Sequence, residues 1–186
     1  MKKLYLLAVI GLVMLLAACG DSAIEEFSHT DQRGEELSLE DLKGSPWLAT
    51  FVFTNCTTVC PPMTFNMVGI QEELEAQGIE NYKIVAFSVD PVVDKPEVLA
   101  DYLDKYNVPD PSKWHLLTGY SQDDIAEYAK DNFKAFVKND PASDQVVHGT
   151  SFYLIDQNGE IANNYDGYLE VPVKEIAKDM QDLLKE

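Results

Sequence analysis

The chain has 186 residues, 46% of them apolar, and its 14 Lys and Arg against 32 Asp and Glu give a net charge of −18. That length carries one well-packed domain and is short for two, and the apolar fraction excludes a disordered chain. The acidic excess repels DNA, RNA and anionic lipid headgroups, so no nucleic-acid partner is expected.

Residues 1–18 read as an export signal, not as part of the fold. Lys2 and Lys3 open it, and the apolar stretch over residues 4–16 is shorter than the ~20 residues of a membrane-spanning helix. Leu16-Ala17-Ala18-Cys19 then matches the bacterial lipobox, in which the cysteine is acylated and becomes the first residue of the mature protein. The expectation is a domain anchored to the cell membrane by lipid on Cys19 and lying on the extracytoplasmic side. Residues 19–26 form a linker, and residues 27–186 form the domain.

Residues 27–39 contain the turn-like Asp31-Gln32-Arg33-Gly34 and predict a small hairpin. Residues 38–44 read as a capped helical turn closed by Gly44, and residues 47–53 as a strand buried on both faces. The period then changes. Met63, Met67, Ile70 and Leu74 share a helical face, which favours core packing for both methionines, and Gly78 supplies a stop. Residues 82–89 are another buried-type strand, ending at Asp90-Pro91. Pro96 begins a helix with Leu99, Tyr102, Leu103 and Tyr106 on its apolar side, and Asp94 reads as its cap. A short strand follows over residues 113–118. Ser121, with Asp124 three positions on, starts a helix through Ile125, Tyr128, Ala129 and Phe133. Residues 151–156 and 161–165 flank the hairpin turn Gln157-Asn158-Gly159, and Val173, Ile176, Ala177, Met180 and Leu184 stripe a last helix. This order predicts an α/β fold: a central mixed sheet flanked by helices, preceded by an amino-terminal β-hairpin. A cysteine pair, not a glycine-rich phosphate loop, follows the first long strand, which favours a thioredoxin-like architecture.

Cys56 and Cys60 are the two cysteines of the exported domain, in a compartment where disulfides persist. They lie in Thr54-Asn55-Cys56-Thr57-Thr58-Val59-Cys60-Pro61-Pro62, between a strand end and a helix start. The helix start is expected to favour thiolate at Cys60. The pair can form a disulfide or converge on one soft metal ion. Two thiolates leave Cu(I) or Zn(II) short of at least one donor, and imidazole is the usual supplement. His29, in the hairpin, and His115, in a short strand, read as surface or packing residues. His148, in a loop feeding the strand from residue 151, faces the cysteine turn if the fold is thioredoxin-like. Asp90, at a strand end on the same edge, is a hard donor that suits a place beside the ligands better than a place among them.

The segments F-x-F-T-N-C-T-T-V-C-P-P-M, F-S-V-D-P-V-V-D-K-P and V-V-H-G-T-S-F-Y-L-I-D resemble the Sco/SenC family, and in particular its lipoprotein members from Gram-positive bacilli. The resemblance runs from about Phe27 to the end. It implies a thioredoxin-like fold that binds Cu(I) or Cu(II) through Cys56, Cys60 and His148. It also implies a role as metallochaperone in building the dinuclear copper centre of cytochrome c oxidase, with that subunit as partner, and an acidic residue of the Asp90 segment near the metal. Many members carry Pro and Asp between the cysteines, where this chain has Thr57 and Thr58. Against a metal-delivery protein that is not an enzyme in the ordinary sense stands a thiol-disulfide oxidoreductase. It would reduce cysteines of the oxidase subunit or of another exported protein. That reading needs only Cys56 and Cys60, so His148 discriminates between the two.

Overall fold

The computed structural model describes residues 23–185, so the export signal and Cys19 lie outside the described residues. Strands β1 (Ser28–Thr30) and β2 (Glu36–Ser38) form the expected antiparallel hairpin, followed by a single helical turn, Glu40–Leu42. The chain continues through β3 (Trp47–Val52), α1 (Cys60–Ala76), β4 (Lys83–Ser88), α2 (Pro96–Leu103), β5 (Trp114–Leu117) and α3 (Gln122–Phe133). Next come β6 (Val137–Asn139), β7 (Val146–His148), β8 (Ser151–Ile155), β9 (Ile161–Asp166) and α4 (Val173–Leu183). The central sheet runs β5-β4-β3-β8-β9, with β3, β4 and β5 parallel and β8 and β9 antiparallel to their neighbours.

All six residues of β3 are buried, because the sheet has a core on each face. The period-2 alternation of a strand divides them. Ala49 and Phe51 pack with Phe27, Phe87, Ile125 and Phe133 under α3 and the amino-terminal hairpin. Leu48 and Val52 pack with Met63, Met67, Leu99 and Ile176 under α1, α2 and α4. Both methionines are fully buried. Ser121 and Asp124 make a capping box on α3, as their spacing predicts.

Two features depart from the sequence reading. The residues read as the end of the linker touch the sheet: Ile24 is buried, and its N–H donates to the Gly159 carbonyl. The segment predicted as a loop before residue 151 is instead β7, paired antiparallel with β6 in a separate two-stranded ribbon. Strands of three residues, with Val137 and Val146 as their inward apolar side chains, are too short for alternation to register in sequence.

Gly167 closes the loop after β9 against β8. A Cβ there would lie 2.6 Å from the Thr150 carbonyl oxygen and 2.8 Å from the Phe152 ring. Gly167→Ala should therefore cost about 1–3 kcal/mol by overpacking. Urea unfolding should show this as a lower midpoint at unchanged slope.

Candidate metal centre

Where β3 leaves the core, residues 54–59 turn the chain into α1. This places Cys56 in the turn and Cys60 as the first helical residue, followed by two prolines whose missing N–H groups cost nothing there. The Cys60 N–H donates to Cys56 Sγ at 3.3 Å. Cys60 Sγ lies 3.2 Å from Nε2 of His148, which β7 brings in from the other side. His148 Nδ1 is 2.8 Å from the Gly149 carbonyl oxygen. A carbonyl only accepts, so Nδ1 carries a proton, which leaves Nε2 as the nitrogen available to a metal beside the sulfurs. The three donor atoms lie within 4.8 Å of one another, all on buried residues, with the Phe53 ring edge-on to the imidazole at 5.8 Å. His29 and His115 stay outside the cluster. His29 stacks on Phe27 and meets Tyr120 edge-on, and His115 bonds to Asp31.

Both cysteines are free, and they share their protons unequally. The hydrogen bond from Cys60 holds the Cys56 thiol well below its usual range, against a burial effect that pushes it up. That same contact, then burial, pushes Cys60 well above it. The helix start thus favours a thiolate at Cys56, not at Cys60: the amide it exposes is aimed at the Cys56 sulfur, while Cys60 is fully buried.

Asp94 does not cap α2. Pro96 is the first helical residue, so the cap position falls to Lys95, which makes no side-chain cap bond. The proline itself carried that signal. The buried Asp94 carboxylate instead accepts from Thr54 Oγ1 at 2.6 Å, from the Thr54 N–H at 3.3 Å and from Ser88 Oγ at 2.5 Å. It joins the foot of the cysteine turn to the end of β4, a role the sequence reading missed. Asp90 is half-buried nearby, and burial raises its carboxyl pKa. Its N–H donates to Ser88 Oγ, and among the described residues its carboxylate makes no hydrogen bond to Cys56, Cys60 or His148. Gln145 Nε2 donates to the Asn55 carbonyl at 3.2 Å, tying the β6–β7 turn to the cysteine turn.

Two sulfurs and one neutral imidazole nitrogen form a donor set suited to a soft ion such as Cu(I). A family model described as SCO1/SenC matches residues 18–185. The chain belongs to the SCO1/SenC family. A SCO1/SenC family lipoprotein from Bacillus anthracis is 46% identical, with a TM-score of 0.83 over 87% of this chain and 94% of that one. BsSco, described as a member of the Sco family of cytochrome c oxidase assembly proteins with a disulfide switch, is 43% identical. Its TM-score is 0.80 over 88% of this chain and 94% of its own. ScoI of Bradyrhizobium japonicum, solved with copper bound, is 25% identical, with a TM-score of 0.73 over 87% of this chain and 99% of that one. The fold is the family's thioredoxin-like one, as the order of elements predicts.

Asp94→Ala strands the Thr54 and Ser88 donors and should destabilise the domain by about 1–3 kcal/mol per unpaired buried group, with Asp94→Asn less harmful. Burial, the largest effect, raises the native Asp94 pKa, so ionisation costs stability in the folded state. The wild-type advantage over Asp94→Asn should grow as pH falls through the raised pKa and be complete below the usual value of about 4. Urea titrations of both proteins across that range measure it.

Proposed function

We propose that this chain is a copper metallochaperone that holds one copper ion through Cys56, Cys60 and His148 and passes it to the dinuclear copper centre of cytochrome c oxidase. The observation that carries the reading is His148 Nε2 held against two sulfurs, with Nδ1 fixed on the Gly149 carbonyl. A disulfide reductase has no use for a third soft donor held in this way. Membership of a family with a copper-bound relative and a relative described among cytochrome c oxidase assembly proteins supports both the ion and its destination.

The alternative, a thiol-disulfide oxidoreductase acting on the oxidase subunit or another exported protein, is favoured by one observation: the depressed thiol of Cys56 beside a protonated Cys60. That is how an attacking thiolate and a resolving thiol are arranged. Asp90, half-buried at the end of β4 with its N–H on Ser88 Oγ, adjusts the charge around the ligands without joining them.

Lipid on Cys19 anchors the domain to the outer face of the cell membrane, after removal of residues 1–18, and a linker from residue 19 to 26 leads to the domain over residues 27–186. The domain is thereby confined to the surface on which an outward-facing copper centre is assembled. The Bacillus anthracis relative described as a lipoprotein supports this. Among the described residues no helix is long and apolar enough to cross a membrane.

Copper titration of the reduced domain should reach one ion per chain. Cys56→Ser and Cys60→Ser should abolish tight binding, and His148→Ala should weaken it and alter the Cu(II)–thiolate absorption. In cells, deletion should remove cytochrome c oxidase activity and spare quinol oxidases that lack the dinuclear centre. If stably expressed His148→Ala rescues fully while both cysteine variants fail, the reductase reading replaces the chaperone.

Cys19→Ser should abolish acylation and correct processing, read by mass spectrometry of the membrane fraction. A mature chain with unmodified Cys19, free in the medium, would end the lipoprotein reading.

A further inference from the structure

Among the described residues six large apolar side chains are exposed: Phe65, Val92, Val93, Phe136, Val147 and Leu169. They come from four separate stretches of chain, and every one of these stretches lies at a single end of the sheet. The parallel pairing of β3 and β4 puts residues 53–60 and residues 89–95 at that end. The antiparallel pairing of β8 brings its first residue there, and Ser151 opposite Asp166 brings the loop after β9 to the same edge. Hydrogen bonds tie these stretches to the cysteine turn or to the helix that follows it. Asp94 holds the Val92–Val93 loop to Thr54. Gln145 holds the β6–β7 ribbon to Asn55, and Asn66 Nδ2 of α1 donates to the Gly167 and Tyr168 carbonyls beside Leu169. On the ribbon, Val146 and His148 are buried while Val147 is exposed. The strand that carries the ligand therefore turns Val147 outward, opposite the exposed Lys138 of β6. Scattered exposed apolar residues need no explanation, but a set gathered at one end around a donor cluster does.

We propose that this collar is the docking surface for the copper acceptor: a protein whose thiol and imidazole donors sit in an apolar patch bordered by basic side chains. The proposal rests on the copper-delivery reading. Cu(I) held by buried donors reaches another protein only by direct ligand exchange, so the acceptor's donors must come within bonding distance, against the collar. Two thiolates and one imidazole release the ion here, and the acceptor's donors take it up. Of the protons lost by the acceptor's thiols one returns to Cys60 and the rest go to water, Cys56 stays a thiolate, and no electron moves. Charge selects among occupants. Around the collar the exposed Lys95, Lys134 and Lys138 stand among Asp90, Asp140 and Asp144, so the selection rests on the field of the whole chain, which carries −18. A second copy or an anionic bilayer would meet like charge, whereas a basic-rimmed partner would be steered in.

The test loads the reduced domain with Cu(I) and follows transfer to the apo, reduced, soluble copper-centre domain of cytochrome c oxidase by stopped flow. Phe65→Ser, Phe136→Ser and Leu169→Ser combined should slow second-order transfer about tenfold or more, as expected for loss of central apolar contacts. Circular dichroism, copper stoichiometry and removal of copper by bathocuproine disulfonate should stay as in the wild type. Transfer by the wild type should slow as NaCl rises from about 20 to 500 mM, and Asp140→Lys with Asp144→Lys should flatten that dependence. Unchanged transfer by the triple variant, with copper binding intact, overturns the collar and leaves the chaperone reading standing. Failure of the wild type to bind or pass copper overturns the chaperone reading itself. Self-association in sedimentation, or cosedimentation with vesicles of anionic lipid, lost in the triple variant, would assign the surface to a second copy or to the membrane and overturn the proposal.

Discussion

The backbone leaving β3 sets the rest of the site. A strand buried on both faces delivers a turn that is covered only in part: Cys56 and Cys60 are buried and Thr54 is half-buried, while Asn55, Thr57 and Thr58 meet water, and an unpaired amide on the covered side is costly. The turn finds partners in side chains and in a neighbouring sulfur. The Thr54 N–H goes to Asp94, the Asn55 carbonyl to Gln145 and the Cys60 N–H to Cys56 Sγ. Each of these bonds also fixes something else. The first fixes the loop after β4, the second the ribbon that carries His148, and the third the place of the Cys56 sulfur at the helix start. The turn's own hydrogen-bond requirements thus assemble the site, with no separate scaffold for it.

That arrangement concentrates negative charge. Asp94 is fully buried, its ionised form is disfavoured by burial, and its charge contributes to the raised pKa of Cys60. A second thiolate next to Cys56 would add to the same unfavourable field, so the metal-free site keeps one proton on Cys60. A soft cation removes the conflict, because two thiolates around a positive ion no longer repel each other in a low dielectric. The metal-free cluster is electrostatically prepared for a cation and is held short of full deprotonation until one arrives.

Much of this was legible in the sequence, for identifiable reasons. The unbroken apolar run of β3, the stripe of Met63, Met67, Ile70 and Leu74 and the cap at Ser121 are signals confined to one element, and each reads correctly. Cys56, Cys60 and His148 carried their chemistry in residue type, and the order of elements placed them together. What was hidden depends on contacts distant in sequence. Asp94 serves Thr54, forty positions away, so it read as a helix cap, although Pro96 pointed to Lys95. The charge split between the cysteines depends first on the contact between their two side chains and then on burial. The β6–β7 ribbon has too few residues to show a period.

The ribbon's weakness bears on how an ion could leave. The cysteines stand at the join of the most buried strand and the longest helix, while His148 stands on a two-stranded ribbon outside the main sheet. Such a pair is marginal by itself and draws its support from packing. Val137 and Val146 supply that packing by joining the same core as Cys56 and Cys60, and Gln145 adds one exposed hydrogen bond. Local opening costs least where buried contacts are fewest, so of the three donors the imidazole is the one most readily displaced. In a copper-delivery protein, exchange would then begin at His148. Two sulfurs would still retain the ion, and the first incoming donor would enter at the place the imidazole vacates, on the side of the ribbon opposite the exposed Val147.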